Sequence, residues 1–267
     1  MKTFSLLLLC GAISCTALAQ TETPPAPAAT ATSTPVASAP PTPKKVTPAP
    51  GSMPAKNPPT QPVPHTEKRA LDNIAKAKAA GESIQLIFDG DSITDGWQGR
   101  GKAVWTERYA KYGAFDFGIS GDTTDNVLWR LSQGQAEGLH PKLIVLMIGT
   151  NNMKYTSTAA EIAAGVKAIL AEYQKRCPGA VILLQAIFPR AEMKDSPYRA
   201  KIKDTNAILA TYADGKKVIY TDFGDKFLTS YGVLTQEIMP DFLHPSPKGY
   251  EIWADAIQPF IDKYMGK

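Results

Sequence analysis

The chain has 267 residues, an apolar fraction of 43%, and 29 basic against 25 acidic residues for a formal net charge of +4. That length and apolar content suit one sizeable core carrying an appendage. The charges are dispersed, and no basic run interleaved with aromatics marks a surface for nucleic acid, so a nucleic-acid partner finds no support.

Met1-Lys2-Thr3 leads into an apolar stretch from Phe4 to Leu18 that ends in Ala17-Leu18-Ala19 before Gln20. Residues 1–19 read as a secretory signal peptide with a small-residue cleavage site. The stretch is shorter than the roughly 20 apolar residues a bilayer span needs, so the mature chain is expected to be exported without a stable span, to the periplasm or beyond. Lipidation at Cys15 is a lesser alternative, because Ala12-Ile13-Ser14 lacks the usual leucine. Cys10 and Cys15 fall inside the segment to be removed, which leaves Cys177 without an internal partner. Ahead of Pro178-Gly179, where a helix should stop, that thiol reads as a space-filler rather than a nucleophile.

Residues 20–65 are dominated by Pro, Ala, Thr, Ser and Lys, and 14 of the chain's 22 prolines lie between 20 and 64. With no apolar period, this segment is expected to be an extended, disordered linker with His65 at its end. From Thr66 to Lys267 short apolar runs alternate with amphipathic stretches. Strands are predicted at Ile84–Phe88, Phe115–Phe117, Leu143–Ile148, Val181–Gln185 and Val218–Tyr220, with helices near 66–80, 103–112, 123–133, 158–176, 198–214 and 247–264. The last helix is the best marked: Ser246 can cap it, Pro247 suits its first turn, and Tyr250, Trp253, Ala254, Ile257 and Ile261 share one face. The pattern predicts an α/β fold, a three-layer α/β/α sandwich around a five-stranded parallel sheet.

Open parallel sheets bind ligands at the carboxyl ends of their strands. The polar residues gather there: Asp89-Gly90-Asp91-Ser92-Ile93-Thr94-Asp95-Gly96 after the first strand, Gly118-Ile119-Ser120-Gly121-Asp122-Thr123 after the second, Gly149-Thr150-Asn151-Asn152 after the third, and Asp241-Phe242-Leu243-His244 near the end. Of the three histidines, His65 falls in the linker and His140 precedes the third strand, at the opposite edge, which leaves His244 as the base for a serine nucleophile at Ser92. Asp241, three residues earlier, can fix the tautomer of that base. In a 2-1-3-4-5 strand order the first strand lies between the second and third, so Ser92 sits between Gly121 and Asn151, where donors for a developing oxyanion belong. Singly these features are weak, since Gly-Asp-Ser turns, Asp-x-x-His loops and turn glycines are common. Their joint placement at one edge of one sheet is what argues for a site.

Over about residues 82–264 these four blocks strongly resemble the SGNH hydrolases, the GDSL esterases and lipases, which have a flavodoxin-like fold. By that resemblance Ser92 is the nucleophile, His244 and Asp241 complete a triad, and the Ser92 and Gly121 N–H groups join the Asn151 amide in an oxyanion hole. The stretches Phe117–Ile119, Val127–Leu131 and Gly149–Asn152 are similar to the catalytic subunits of platelet-activating-factor acetylhydrolase and their bacterial relatives. Many family members have Asp after the third-block Asn; this chain has Asn152. The resemblance implies short acyl groups, acetyl above all, and an exported chain would more naturally meet an acetylated carbohydrate than a signalling phospholipid.

No His, Cys and carboxylate cluster has metal-ligand spacing, so neither metal nor cofactor is expected. Asp91 is too close to Ser92 to be the triad acid and reads as a brace for its turn. Asp222 and Asp225 are rivals to Asp241 but lack its spacing from His244. Trp97, Trp105 and Trp129 read as core. Alternatives to a carbohydrate esterase are a lysophospholipase or general short-chain lipase, a non-catalytic module binding acylated glycans, and an anion-binding loop at Gly90–Gly96, which lacks the glycine spacing and lysine of phosphate loops.

Overall fold

A computed structural model describes residues 57–266. The signal-peptide reading of 1–19 and the linker reading of 20–56 lie outside the described residues. The elements run α1 Glu67–Ala80, β1 Leu86–Gly90, α2 Ser92–Asp95, α3 Lys102–Arg108, β2 Ala114–Asp116, α4 Thr124–Ser132, β3 Leu143–Met147, α5 Ala159–Arg176, β4 Val181–Gln185, α6 Pro197–Ala210, β5 Val218–Thr221 and α7 Pro247–Met265. All strand pairs are parallel, in the order β2-β1-β3-β4-β5.

Alternate side chains of each strand feed two separate cores. Ile87, Ile144, Leu146, Ile182 and Leu184 pack with residues of α1, α4, α5 and α6. Leu86, Phe88, Leu143, Val145 and Leu183 pack with α2, α3 and α7 on the other face. Because helices cover both faces, β1 and β3 are buried throughout and read as unbroken apolar runs. Trp97 and Trp105 lie in the second core, packed around Phe88 and Tyr109, as expected; Trp129 is partly exposed. Cys177 caps α5, buried under Ala136 and Leu139, and burial pushes its thiol up to about 11, which fits a filler. Among the described residues no helix is long and apolar enough to cross a membrane.

Several boundaries differ from expectation. Strand β1 runs two residues later than Ile84–Phe88, because the Ile84 N–H closes the turn at Gly81 and the parallel ladder begins at Leu86. Asp89 and Gly90 are thereby drawn into the buried sheet. Helix α3 ends at Arg108 and gives way to a 3-10 turn over Ala110–Tyr112. Helix α6 stops at Ala210 rather than 214, since the Asp214 carboxylate accepts from the N–H groups of Lys216, Lys217 and Val218 and bends the chain into β5.

The largest correction concerns the end of the linker. Residues 57–65 lie against α4 and its preceding loop: Thr124 Oγ1 donates to the Pro59 carbonyl (2.9 Å), Asn126 Nδ2 donates to the Val63 carbonyl (2.9 Å), and the Val63 N–H donates to the Asp125 carbonyl (3.2 Å). Proline removes a donor but keeps its carbonyl, so a proline-rich segment can still dock as an acceptor.

Candidate active site

Ser92 is placed by a turn with no spare room. Strand β1 ends at Gly90, where a Cβ would lie 2.3 Å from both the Met147 carbonyl oxygen and Thr94 Oγ1, so only glycine fits. Asp91 then caps α2, its Oδ1 accepting from the Ile93 N–H at 3.0 Å. The Tyr250 hydroxyl of α7 donates to the Ile93 carbonyl (2.7 Å) and ties the turn to the last helix. Ser92 stands at the first position of α2, partly exposed, where the helix leaves backbone N–H groups free. Asp91 is fully buried, and burial pushes its carboxyl up to about 7; Oδ2 has no hydrogen-bond partner among the described residues.

His244 approaches from the loop before α7, where Ser246 caps the helix by accepting from the Gly249 N–H. Its Nε2 lies 2.8 Å from Ser92 Oγ, and its Nδ1 lies 2.6 Å from Asp241 Oδ2. The other Asp241 oxygen accepts from the backbone N–H groups of Leu243 (3.2 Å) and His244 (2.8 Å). Burial works against the Asp241 charge, but the bonds from His244 outweigh it and hold the carboxyl below its usual range. Between them Phe242 adopts φ 56°, a left-handed conformation that costs about 1–2 kcal/mol outside glycine. It is held there by an N–H bond to the Met239 carbonyl and by the Ala191 N–H on its own carbonyl. The structure therefore brings Ser92, His244 and Asp241 into one hydrogen-bonded chain, along which a hydroxyl proton can pass to the imidazole. The Asp222 carboxylate instead accepts from Gly224 in its own turn. His140 is exposed ahead of β3, as expected.

Gly121 and Asn151 sit on the loops leaving β2 and β3, the strands that flank β1. Gly121 is exposed and has φ 91°, which disfavours any side chain. Asn151 is buried; one N–H of its amide donates to the Asp122 carbonyl (2.9 Å), which leaves the second for a ligand. The preceding Thr150 carbonyl accepts from Arg190 Nη1 at 2.9 Å. Asn152, the residue that departs from the family pattern, accepts from the Thr124 N–H (3.1 Å) and donates to Thr124 Oγ1 (3.3 Å), joining this loop to the start of α4.

Under these loops lies a buried charge network that the sequence reading missed. Arg130 donates to Asp89 Oδ1 (2.9 Å) and Asp122 Oδ2 (2.8 Å), while Gln135 and the Tyr173 hydroxyl donate to Asp89 Oδ2. Burial opposes the Arg130 charge, but the two carboxylates more than offset it and hold the guanidinium protonated. The second Asp122 oxygen accepts from His65 Nδ1 at 2.7 Å, so His65, placed in the linker by composition, stands at this site. The Asp122 bond raises the His65 pKa. Before Ser92 and His244 opens a cavity of about 450 Å³, with Asp95, Gln98, Arg100 and Ser120 on its walls. Asp95 is bridged to Arg69 of α1 and accepts from the Ser120 hydroxyl (2.7 Å).

Residues 88–252 match the model of the GDSL-like lipase/acylhydrolase family. The chain is 38% identical over 168 residues to platelet-activating factor acetylhydrolase IB subunit alpha2 of Homo sapiens, covering 62% of this chain and 70% of that protein. It is 30% identical over 201 residues to the alpha1 subunit of Rattus norvegicus, covering 73% and 84%. In fold it is similar to a GDSL-like lipase from Bacteroides thetaiotaomicron (TM-score 0.61, 22% identity, 74% of this chain and 97% of that one). It is also similar in fold to an acetylxylan esterase from Geobacillus stearothermophilus (TM-score 0.51, 21% identity, 70% and 96%). The chain belongs to the GDSL-like lipase/acylhydrolase family, and it is a carboxylic ester hydrolase.

Proposed function

We propose that the chain removes short acyl groups, acetyl foremost, from carbohydrate esters by a Ser92–His244–Asp241 triad and an acyl-enzyme intermediate. The observation that carries the mechanism is the unbroken chain from Ser92 Oγ through both His244 nitrogens to Asp241. As Ser92 Oγ attacks the acyl carbonyl, its proton passes to Nε2, and Asp241 stabilises the imidazolium and its tautomer. The carbonyl π electrons move to oxygen, and that oxyanion is met by the Ser92 and Gly121 N–H groups and the free N–H of Asn151. Collapse expels the alcohol as an alkoxide, which takes the proton from Nε2. Water then repeats the sequence on the acyl-serine, losing its proton to His244 and releasing the carboxylic acid and Ser92.

His244 must reach the departing oxygen, so the cavity beside it takes the alcohol. Gln98 and Arg100 on its walls offer polar groups to a hydroxyl-rich alcohol. The names of the relatives favour a second reading, hydrolysis of a short-chain phospholipid ester. An exported location, as read from residues 1–19, would favour the carbohydrate. Labelling with a fluorophosphonate, followed by release assays on acetylated xylo-oligosaccharide and on an acetylated phospholipid, tests the proposal. Capture at Ser92 and faster acetate release from the sugar are expected. A folded protein that resists the label would leave a binding module, and preference for the phospholipid would reverse the substrate assignment.

A further inference from the structure

The loop after β2 is tied at its start, where the Ile119 N–H donates to the Gly90 carbonyl and the Ser120 hydroxyl to Asp95, and its far end has a backbone task. Gly121 is exposed and has no side chain to anchor it, and Asp122, next in line, receives the Asn151 amide on its carbonyl. The aim of both groups therefore depends on where residue 122 is held. Its carboxylate is fully buried, and Arg130 takes only one of its oxygens, through Nε, because Arg130 Nη2 is spent on Asp89. A carboxylate held at one oxygen can pivot about that bond; a second donor on the other oxygen fixes its plane. That second donor is His65 Nδ1. The His65 ring also lies against Gly121, with Cε1 3.1 Å from where a Cβ would stand.

We infer that His65 is a positioning residue of the active site, which aims Gly121 and Asn151 through Asp122. The inference rests on the oxyanion role given to those two residues above. His65 is itself fixed by the segment that carries it, through the Pro59 and Val63 carbonyls on Thr124 and Asn126. The charged groups around it are Asp122, Asp125 and Arg130. It is no rival to His244 as the base, since its Nδ1 is committed to Asp122 and Ser92 Oγ to His244.

The test is steady-state hydrolysis of 4-nitrophenyl acetate by the full chain and by H65A, H65N, N151A and H65A/N151A, with thermal melts of each. H65A should lower kcat about tenfold with KM nearly unchanged, a part of the hundred- to thousandfold that a lost oxyanion donor costs. H65N should recover most of that loss, because an asparagine amide occupies the place of Nδ1 and can donate to Asp122. In the N151A background H65A should cost clearly less than in the parent, about threefold, since the part of its effect that passes through Asn151 is already lost and only the part through Gly121 remains. A folded H65A with the kcat of the parent, or an equal loss with and without Asn151, overturns the inference. If H65A melts below the assay temperature, H65Q replaces it: its longer side chain cannot repeat the Nδ1 geometry, and undiminished turnover there is equally fatal. An N151A enzyme of full kcat would instead sink the oxyanion reading itself.

Discussion

Two carboxylates brace the site, and they are held in opposite ways. Asp241 is half exposed, at 49%, on a loop that turns through a left-handed Phe242, and its bonds are to His244 and two adjacent backbone N–H groups. Asp122 is fully buried, shared between Arg130 and His65, and joined through Arg130 to Asp89, Gln135 and Tyr173. In the proposed mechanism the moving proton lies on the first side and the fixed dipoles on the second. A group that changes charge each turnover is served by an adaptable, partly solvated partner, whereas donors that must not reorganise are better set in a low-dielectric scaffold. Damage on the Asp241 side should accordingly appear in turnover, and damage beneath Asp122 in stability as well.

The largest effect belongs to the proton chain. Ser92→Ala and His244→Ala should each lower kcat by about a millionfold, and the double variant should be no worse, because the two act in one step. Single-turnover assays on the three proteins check this; multiplicative losses would separate their roles. Next comes Asp241→Asn. Its Oδ1 position faces two backbone donors, so the asparagine carbonyl must occupy it and turn the NH2 group toward His244 Nδ1. That forces the proton onto Nε2, the tautomer that cannot accept from Ser92, at a cost of about ten-thousandfold. Asp241→Ala, which leaves the tautomer free, should retain more activity than Asp241→Asn, with unchanged melting for both. The reverse order would show that the exposed carboxylate matters only for its charge.

On the buried side the expected loss is thermodynamic. Arg130→Met keeps the volume but strands the Asp89 and Asp122 carboxylates, and breaking a buried ion pair in this way costs about 3–5 kcal/mol. Urea titration measures it, and a loss under about 1 kcal/mol would mean that the network contributes little to folding.

How much of this was legible depended on where the information sits. Strand β4 was read to its exact ends because Val181–Gln185 is an apolar run bounded by a turn, and α7 to its exact start and within one residue of its end because capping residue, proline and apolar face coincide. Three of the four blocks were legible because each stands at the end of a strand, and the fourth, Asp241–His244, because it stands just ahead of the well-marked start of α7. Strand β1 was misplaced because Ile84 looks like a strand residue while its N–H is used in a turn, a fact of the backbone and not of the side chain. The single-turn helix at Ser92 is too short for any periodic signal. His65 was assigned to the linker because composition describes what a segment cannot bury, and its docking through proline and valine carbonyls leaves no mark on an apolar pattern. Arg130 falls on the inner face of α4, where sequence alone gives no sign of its two partners.

The smallest expected effect lies at the meeting of the two regions, on Asp91. Its carboxyl is raised to about 7 by burial, so the folded protein keeps a proton there that the unfolded chain releases near 3.8. Between those values the folded state binds more protons, so stability is greatest below the unfolded pKa and is lost as pH rises through about 7. From pH 5.5 to pH 8 that loss amounts to about 2 kcal/mol, some 1.5 units of titration at 1.36 kcal/mol each. Asp91→Asn keeps the cap on the Ile93 N–H and places a neutral amide where the unpartnered Oδ2 now lies, so it should remove this dependence. His65 also has a raised pKa, and the stability that goes with it is lost as pH rises through its folded value, but it is common to both proteins and cancels in their difference. The gap in urea stability between Asp91→Asn and the parent should therefore widen in favour of the variant as pH rises from 5.5 to 8, by about 2 kcal/mol. A gap that stays constant with pH would show that Asp91 is already ionised at pH 5.5, and that the turn beneath Ser92 carries a buried negative charge at every pH at which the enzyme works.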